Sequence, residues 1–100
     1  MSRKIRWSMR GRSDFLGQLA QISSQSAQNA ALVRKRVQDK IIKLAHMPTG
    51  HKGRVAGTFE TVVHRTSLIL VYNLPDAASL QILRVIHAAR DWKEGGWPQD

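Results

Sequence analysis

The sequence predicts an α+β domain, β-α-α-β-β-β, with a helix hairpin packed on one face of an antiparallel sheet. Three observations carry that prediction. Apolar residues recur at helical spacing between residues 15 and 44, alternating and continuous apolar runs fill residues 59 to 87, and a proline and three glycines separate the two regions. One hundred residues form a single domain, 1–100, able to bury roughly 65% of its unfolded surface without covalent staples. The chain has no cysteine, which excludes a disulfide framework and thiolate metal sites and agrees with a reducing compartment.

Lys4 to Ser8 sets Ile5 and Trp7 between charged neighbours, the period of a half-buried strand. From Ser13, a candidate cap, Phe15, Leu16, Leu19, Ala20 and Ile22 follow helical spacing. Ser23 to Ser26 is too polar to continue that stripe and reads as a turn, with Ser26 capping the next helix. Ala30, Val33, Val37, Ile41 and Leu44 then step by three or four residues, one face of a long helix that Pro48 and Gly50 end. Thr49 to Gly57 reads as a basic connector. Phe59 to His64 alternates as a strand, and Arg65–Ser67 turns the chain into Leu68–Tyr72, an apolar run suited to a central strand. Pro75–Asp76 turns it again, Leu80 to His87 forms the last strand, and residues 93–100 are expected to be a flexible tail. Two helices cover only one face of such a sheet, so the other face must meet water, the tail or a partner.

Charge narrows the function. The net charge is +9, and such a field attracts nucleic acid, acidic peptides or anionic membranes, raising encounter rates about 10- to 1,000-fold. A membrane partner is disfavoured, because no apolar run approaches the ~20 residues of a span. The basic N-terminus leads into no apolar segment, so no signal peptide is expected and the cytoplasm is the expected location. His46, His51, His64 and His87 show no metal-ligand spacing, and Gly50, Gly53 and Gly57 lack the strand–loop–helix setting of a phosphate loop. Neither a metal nor a cofactor is expected. Few aromatics argue against a stacking platform for single-stranded bases. Arg84, alone in an apolar strand, reads first as a snorkelling or paired residue.

An ordered set of motifs then carries a resemblance: Ile-Arg-Trp-Ser (5–8), Asp-Phe-Leu (14–16), Leu-Ala-x-x-Pro-x-Gly (44–50), Gly-Arg-Val-x-Gly-Thr-x-Glu (53–60), Leu-Val-Tyr (70–72) and Ile-Leu-Arg-Val-Ile-His-Ala-Ala-Arg-Asp-Trp (82–92). Together they resemble the RelE/ParE superfamily of bacterial toxins. The resemblance implies that the first strand lies beside the last. It also implies one of two activities. RelE-type members cut mRNA on the ribosome, using lysines on the first meander strand and an arginine just before the Leu-Val-Tyr motif. Here those positions hold Glu60, Val62 and Ile69, and only Arg90 matches a basic catalytic position. Losing one proton-transfer group costs about 100- to 10,000-fold in rate. Other nucleases of the superfamily pair a carboxylate with a C-terminal histidine, which Glu60 and His87 would imitate, although Ile69 still replaces the arginine and a structural role for His87 is favoured.

ParE-type members instead bind DNA gyrase and trap its cleaved-DNA complex, without chemistry of their own. The 84–92 segment resembles that branch more closely, so the expected function is a ParE-like gyrase poison, and not an enzyme. The resemblance then places Arg84, Arg90, Trp92 and Trp97 near gyrase and its DNA, against simpler roles for Trp92 as a plug of the sheet edge and Trp97 as a disordered residue. It further implies a ParD-like antitoxin with an acidic or amphipathic segment, bound on the helix hairpin or an exposed sheet edge. Phe15, Leu19 and Val37 are candidates for that contact, with a core role the stronger expectation.

Overall fold

A computed structural model describes residues 2–88. The elements in order are β1 (Lys4–Trp7), α1 (Met9–Ser23), α2 (Ala27–His46), β2 (His51–Lys52), β3 (Phe59–Val62), β4 (Leu68–Asn73) and β5 (Ser79–His87). They build one five-stranded sheet in the order β1-β5-β4-β3-β2, with the helix hairpin on one face. The first strand lies beside the last, as the resemblance implied. It runs parallel to β5, with Lys4 opposite Ser79 and Trp7 opposite Ile82, so the sheet is mixed; every other pairing is antiparallel.

Two local expectations change. Helix α1 starts one turn before Ser13, because Ser8 is the cap: its Oγ accepts the Gly11 N–H (2.9 Å) and donates to the Leu83 carbonyl (2.9 Å). One side chain thereby satisfies a helix end and ties it to β5. Glycine at position 11 permits that approach, since a Cβ there would sit 2.8 Å from the Ile82 carbonyl oxygen. The expected connector at 49–57 also contains β2, a two-residue strand opposite Phe59 and Glu60 that is too short to leave a periodic signature. The turn between the helices and the Ser26 cap of α2 stand as read, with Ser26 Oγ accepting from Asn29 N–H (3.1 Å).

Strand β1 covers β5 only as far as Ile82, and α1 continues the job. Asp14 Oδ2 accepts the Val85 N–H (3.1 Å), so a helix side chain stands where a neighbouring strand's carbonyl would be. An exposed N–H on that edge would otherwise invite strand addition. Between helices and sheet lies the core: Phe15, Leu19, Val37, Ile41 and Leu44 against Leu68, Leu70, Tyr72, Leu80, Ile82 and Val85. Trp7 stacks on Phe15 (5.4 Å) and Phe59 on Tyr72 (5.6 Å), each pair joining a strand to its neighbour in the packing.

Tyr72 reports on this core. Its hydroxyl accepts the Gly50 N–H (2.9 Å), and burial pushes the phenol above its ordinary 10.0, outweighing the opposing effect of that bond. A raised value means that the fold prefers the neutral phenol. The stabilisation is complete below pH ~10 and disappears as pH climbs through the raised value. Thermal melts of Tyr72→Phe should therefore decline less steeply above pH ~10 than those of the parent; parallel decline would show that this phenol is not the titrating group.

Candidate functional site

On the sheet face away from the helices, cross-strand register assembles two rows. Glu60, Val71 and Arg84 form one, and Val62, Ile69 and Ile86 form the next. These rows hold the positions where a ribosome-dependent nuclease of the superfamily is expected to carry its charge. Val62 is directly opposite Ile69 and Ile69 opposite Ile86, so the second row is apolar throughout, and it runs from an exposed Val62 (54%) to a buried Ile86.

The charged members of the first row are engaged. Glu60 is only 3% exposed. Its Oε2 accepts the Arg54 backbone N–H (2.9 Å) and Nε–H (3.1 Å), and its Oε1 accepts from Arg54 Nη2 (3.1 Å). The carboxylate thus closes the 53–58 loop over β3, and Gly53 passes close beneath it, where a Cβ would collide with Thr58 Oγ1. Gly57 completes that loop at φ +81°, in the left-handed region that glycine occupies without strain. Two charge-assisted contacts to one guanidinium make the pair rigid.

Arg84, 7% exposed, forms the second pair: its Nε donates to Asp14 Oδ2 (2.6 Å) and its Nη2 to Oδ1 (3.3 Å). The paired role anticipated from its apolar strand is the one observed. A target contact through Arg84 would have to share the guanidinium with Asp14.

His87 lies elsewhere. It is opposite Leu68, whose side chain belongs to the helix-side core, whereas Glu60 shares the other face with Val62 and Ile69. Glu60 and His87 therefore stand on opposite faces, and the structure does not bring them together as an acid–base pair. His87 instead borders a cleft of about 450 Å³ at the turn end of the hairpin, with Gln18, Ile22, Val33, Arg36 and Arg65 also on its wall. Arg90, Trp92 and Trp97 lie outside the described residues. Among the described residues no three His, Asp or Glu gather as metal ligands, and no helix is long and apolar enough to cross a membrane.

Between α1 and α2 runs a second groove, of about 500 Å³, with Leu16, Leu19, Ala20, Ala27, Ala30, Ala31 and Arg34 along it. Of the three residues considered for a partner contact, Leu19 reaches this groove, while Phe15 and Val37 are buried in the core below. Leu16, 55% exposed, was the residue on that helix to weigh, because it follows Phe15 and turns to the outer face. Asp14 and Arg54 complete the two ion pairs without a residue pattern that singles them out, Asp14 within Asp-Phe-Leu (14–16) and Arg54 six residues before Glu60.

Comparison with known proteins adds a consistent result. The family described as ParE toxin of type II toxin-antitoxin system, parDE, matches residues 5–92. A chain from the solved structure of a chromosomal ParDE TA system from P. aeruginosa superposes with a TM-score of 0.76 at 13% identity, over 86% of this chain and 96% of that one. No curated protein sequence matches.

Proposed function

The chain belongs to the ParE toxin family of type II toxin–antitoxin systems, and from that premise we propose that it inhibits DNA gyrase by binding and holding the cleaved-DNA complex, and that a ParD-like antitoxin neutralises it. One observation carries the choice of binding over RNA scission. The face that would need cations for a phosphorane presents Val62, Ile69 and Ile86, and its nearest carboxylate, Glu60, has both oxygens committed to Arg54. An acid–base pair requires groups within hydrogen-bond reach of one reacting centre, and two groups on opposite faces of a sheet do not meet that condition. In this reading the 84–92 segment, with Arg90 and Trp92, contacts gyrase and its DNA, and Trp97 extends the contact.

Supercoiling and cleavage assays test it. Purified toxin at micromolar concentration is expected to halt gyrase and accumulate broken DNA, and Arg90→Ala with Trp92→Ala should reduce the trapped fraction at least about 10-fold, a loss of about 1.4 kcal/mol in complex stability. Unimpaired gyrase, together with mRNA cut on translating ribosomes, would replace this reading with the nuclease.

The antitoxin is proposed to lay an amphipathic helix along the groove between α1 and α2, with Leu16 and Leu19 as anchors and Arg34 meeting an acidic residue at the rim. Leu16→Arg puts a charge where an apolar anchor should dock, yet leaves the core untouched because Leu16 is exposed. It should weaken antitoxin binding at least about 30-fold, roughly 2 kcal/mol, with an unchanged melting temperature. Equal affinity in a titration would move the docking surface off the hairpin.

A further inference from the structure

The described residues include the carboxylates Asp14, Asp39, Glu60 and Asp76, and every one is already engaged. Asp14 holds Arg84, Glu60 holds Arg54, Asp39 holds Lys35 at 3.0 Å, and Asp76 accepts the Ala78 N–H (2.8 Å) and faces Ser79 Oγ (3.3 Å). Arg36, Lys40, Lys43, Lys52 and Arg65 form no ion pair with any of these described carboxylates, so their placement decides what they attract.

Part of this charge is placed in a line. On α2, Arg36, Lys40 and Lys43 step by four and three residues, one stripe along the flank turned away from the α1 groove, where Arg34 sits. Arg65 extends the stripe at one end. It occupies the turn before β4 at φ +61°, and Arg36 Nη1 donates to its carbonyl (3.1 Å), so one arginine fixes the turn that presents the other. Lys52, exposed on the edge strand β2, adds a further cation on the same side of the sheet. Register puts Lys52 in the row of Phe59, Tyr72 and Ile82, which is the row facing the helices.

We propose that this stripe, Arg65–Arg36–Lys40–Lys43–Lys52, binds the phosphate backbone of duplex DNA directly, so that the toxin itself holds DNA without gyrase. From Arg36 to Lys43 the helix rises about 10 Å, near the axial span of three phosphates on one strand. A duplex fits better than a single strand, because the described aromatics, Trp7, Phe15, Phe59 and Tyr72, are stacked on one another in pairs and offer no platform for bases. A contact made only to phosphates is blind to sequence. The proposal goes beyond the gyrase reading and does not depend on it.

The test uses no gyrase. Fluorescence anisotropy would follow a labelled duplex of ~20 base pairs titrated with the whole chain at about 50 and about 200 mM salt. Five neutralised phosphates predict an affinity loss of about 500-fold between those salts. Lys40→Gln with Lys43→Gln should reduce that ratio to about 40-fold. Lys4→Gln on β1 with Arg12→Gln on α1, both exposed, removes the same charge and should leave the ratio near the parent value. Should the first pair lower the melting temperature, Lys43→Gln with Lys52→Gln, both exposed, replaces it. Equal losses from the two charge-matched pairs would reduce the effect to net charge and overturn the stripe. So would tighter binding of a single strand of the same length, or equal competition by polyglutamate at the same charge, which would point to an acidic protein as the occupant.

Discussion

Replacing Asp14 with alanine should cost about 3–5 kcal/mol, because it takes the carboxylate away from a guanidinium that stays inside the fold. The Arg84 side chain is 9% exposed, and Asp14 Oδ2 is within 2.6 Å of its Nε while also accepting the Val85 N–H. One substitution thus affects a buried ion pair, the covered edge of β5 and the register of α1 against it. For a domain of this size such a loss corresponds to a fall in Tm of at least about 12 °C. Asp14→Asn, which keeps an oxygen for Val85 and gives up the charge, should fall between parent and alanine. A change below about 1 kcal/mol in Asp14→Ala would mean that the pair is far more hydrated than its geometry indicates.

The second large effect is expected at Arg54→Ala. Glu60 is the most buried residue of β3, and the substitution removes the guanidinium from both of its oxygens while the Arg54 backbone N–H stays in place. About 3 kcal/mol should be lost. Adding Glu60→Ala to Arg54→Ala should recover part of it, since the uncompensated carboxylate is then gone, and the double-mutant cycle reads out the coupling. If Glu60 served as a base in catalysis instead, Glu60→Gln would abolish an activity while leaving the melting curve unchanged. Chemical denaturation of the three variants separates the two roles.

Legibility followed the length of each signal. Helix α2 was readable because twenty residues repeat one face, and β4 because an unbroken apolar run has few other uses in a meander. The start of α1 was misplaced because two serines were available and the choice between them depends on Leu83, seventy-odd residues away, whose carbonyl binds Ser8. Two residues of β2 carry no period, and the parallel course of β1 is a property of the crossover rather than of any local segment. At the site, the missing cations were legible as residue types at Glu60, Val62 and Ile69. What those residues do was not: that Glu60 is spent on Arg54, and that His87 faces the other side of the sheet, depends on register, which a one-residue slip would invert.

The pairing of Lys4 with Ser79 sets a condition on synthesis. Strand β1 finds its neighbour only after residues 79–82 have also been made, and the long loop between them must close before that contact offers any return. Truncated products lack β5 and, with it, the partner of β1, of β4 and of Asp14. A message stalled midway therefore yields no folded toxin-family domain.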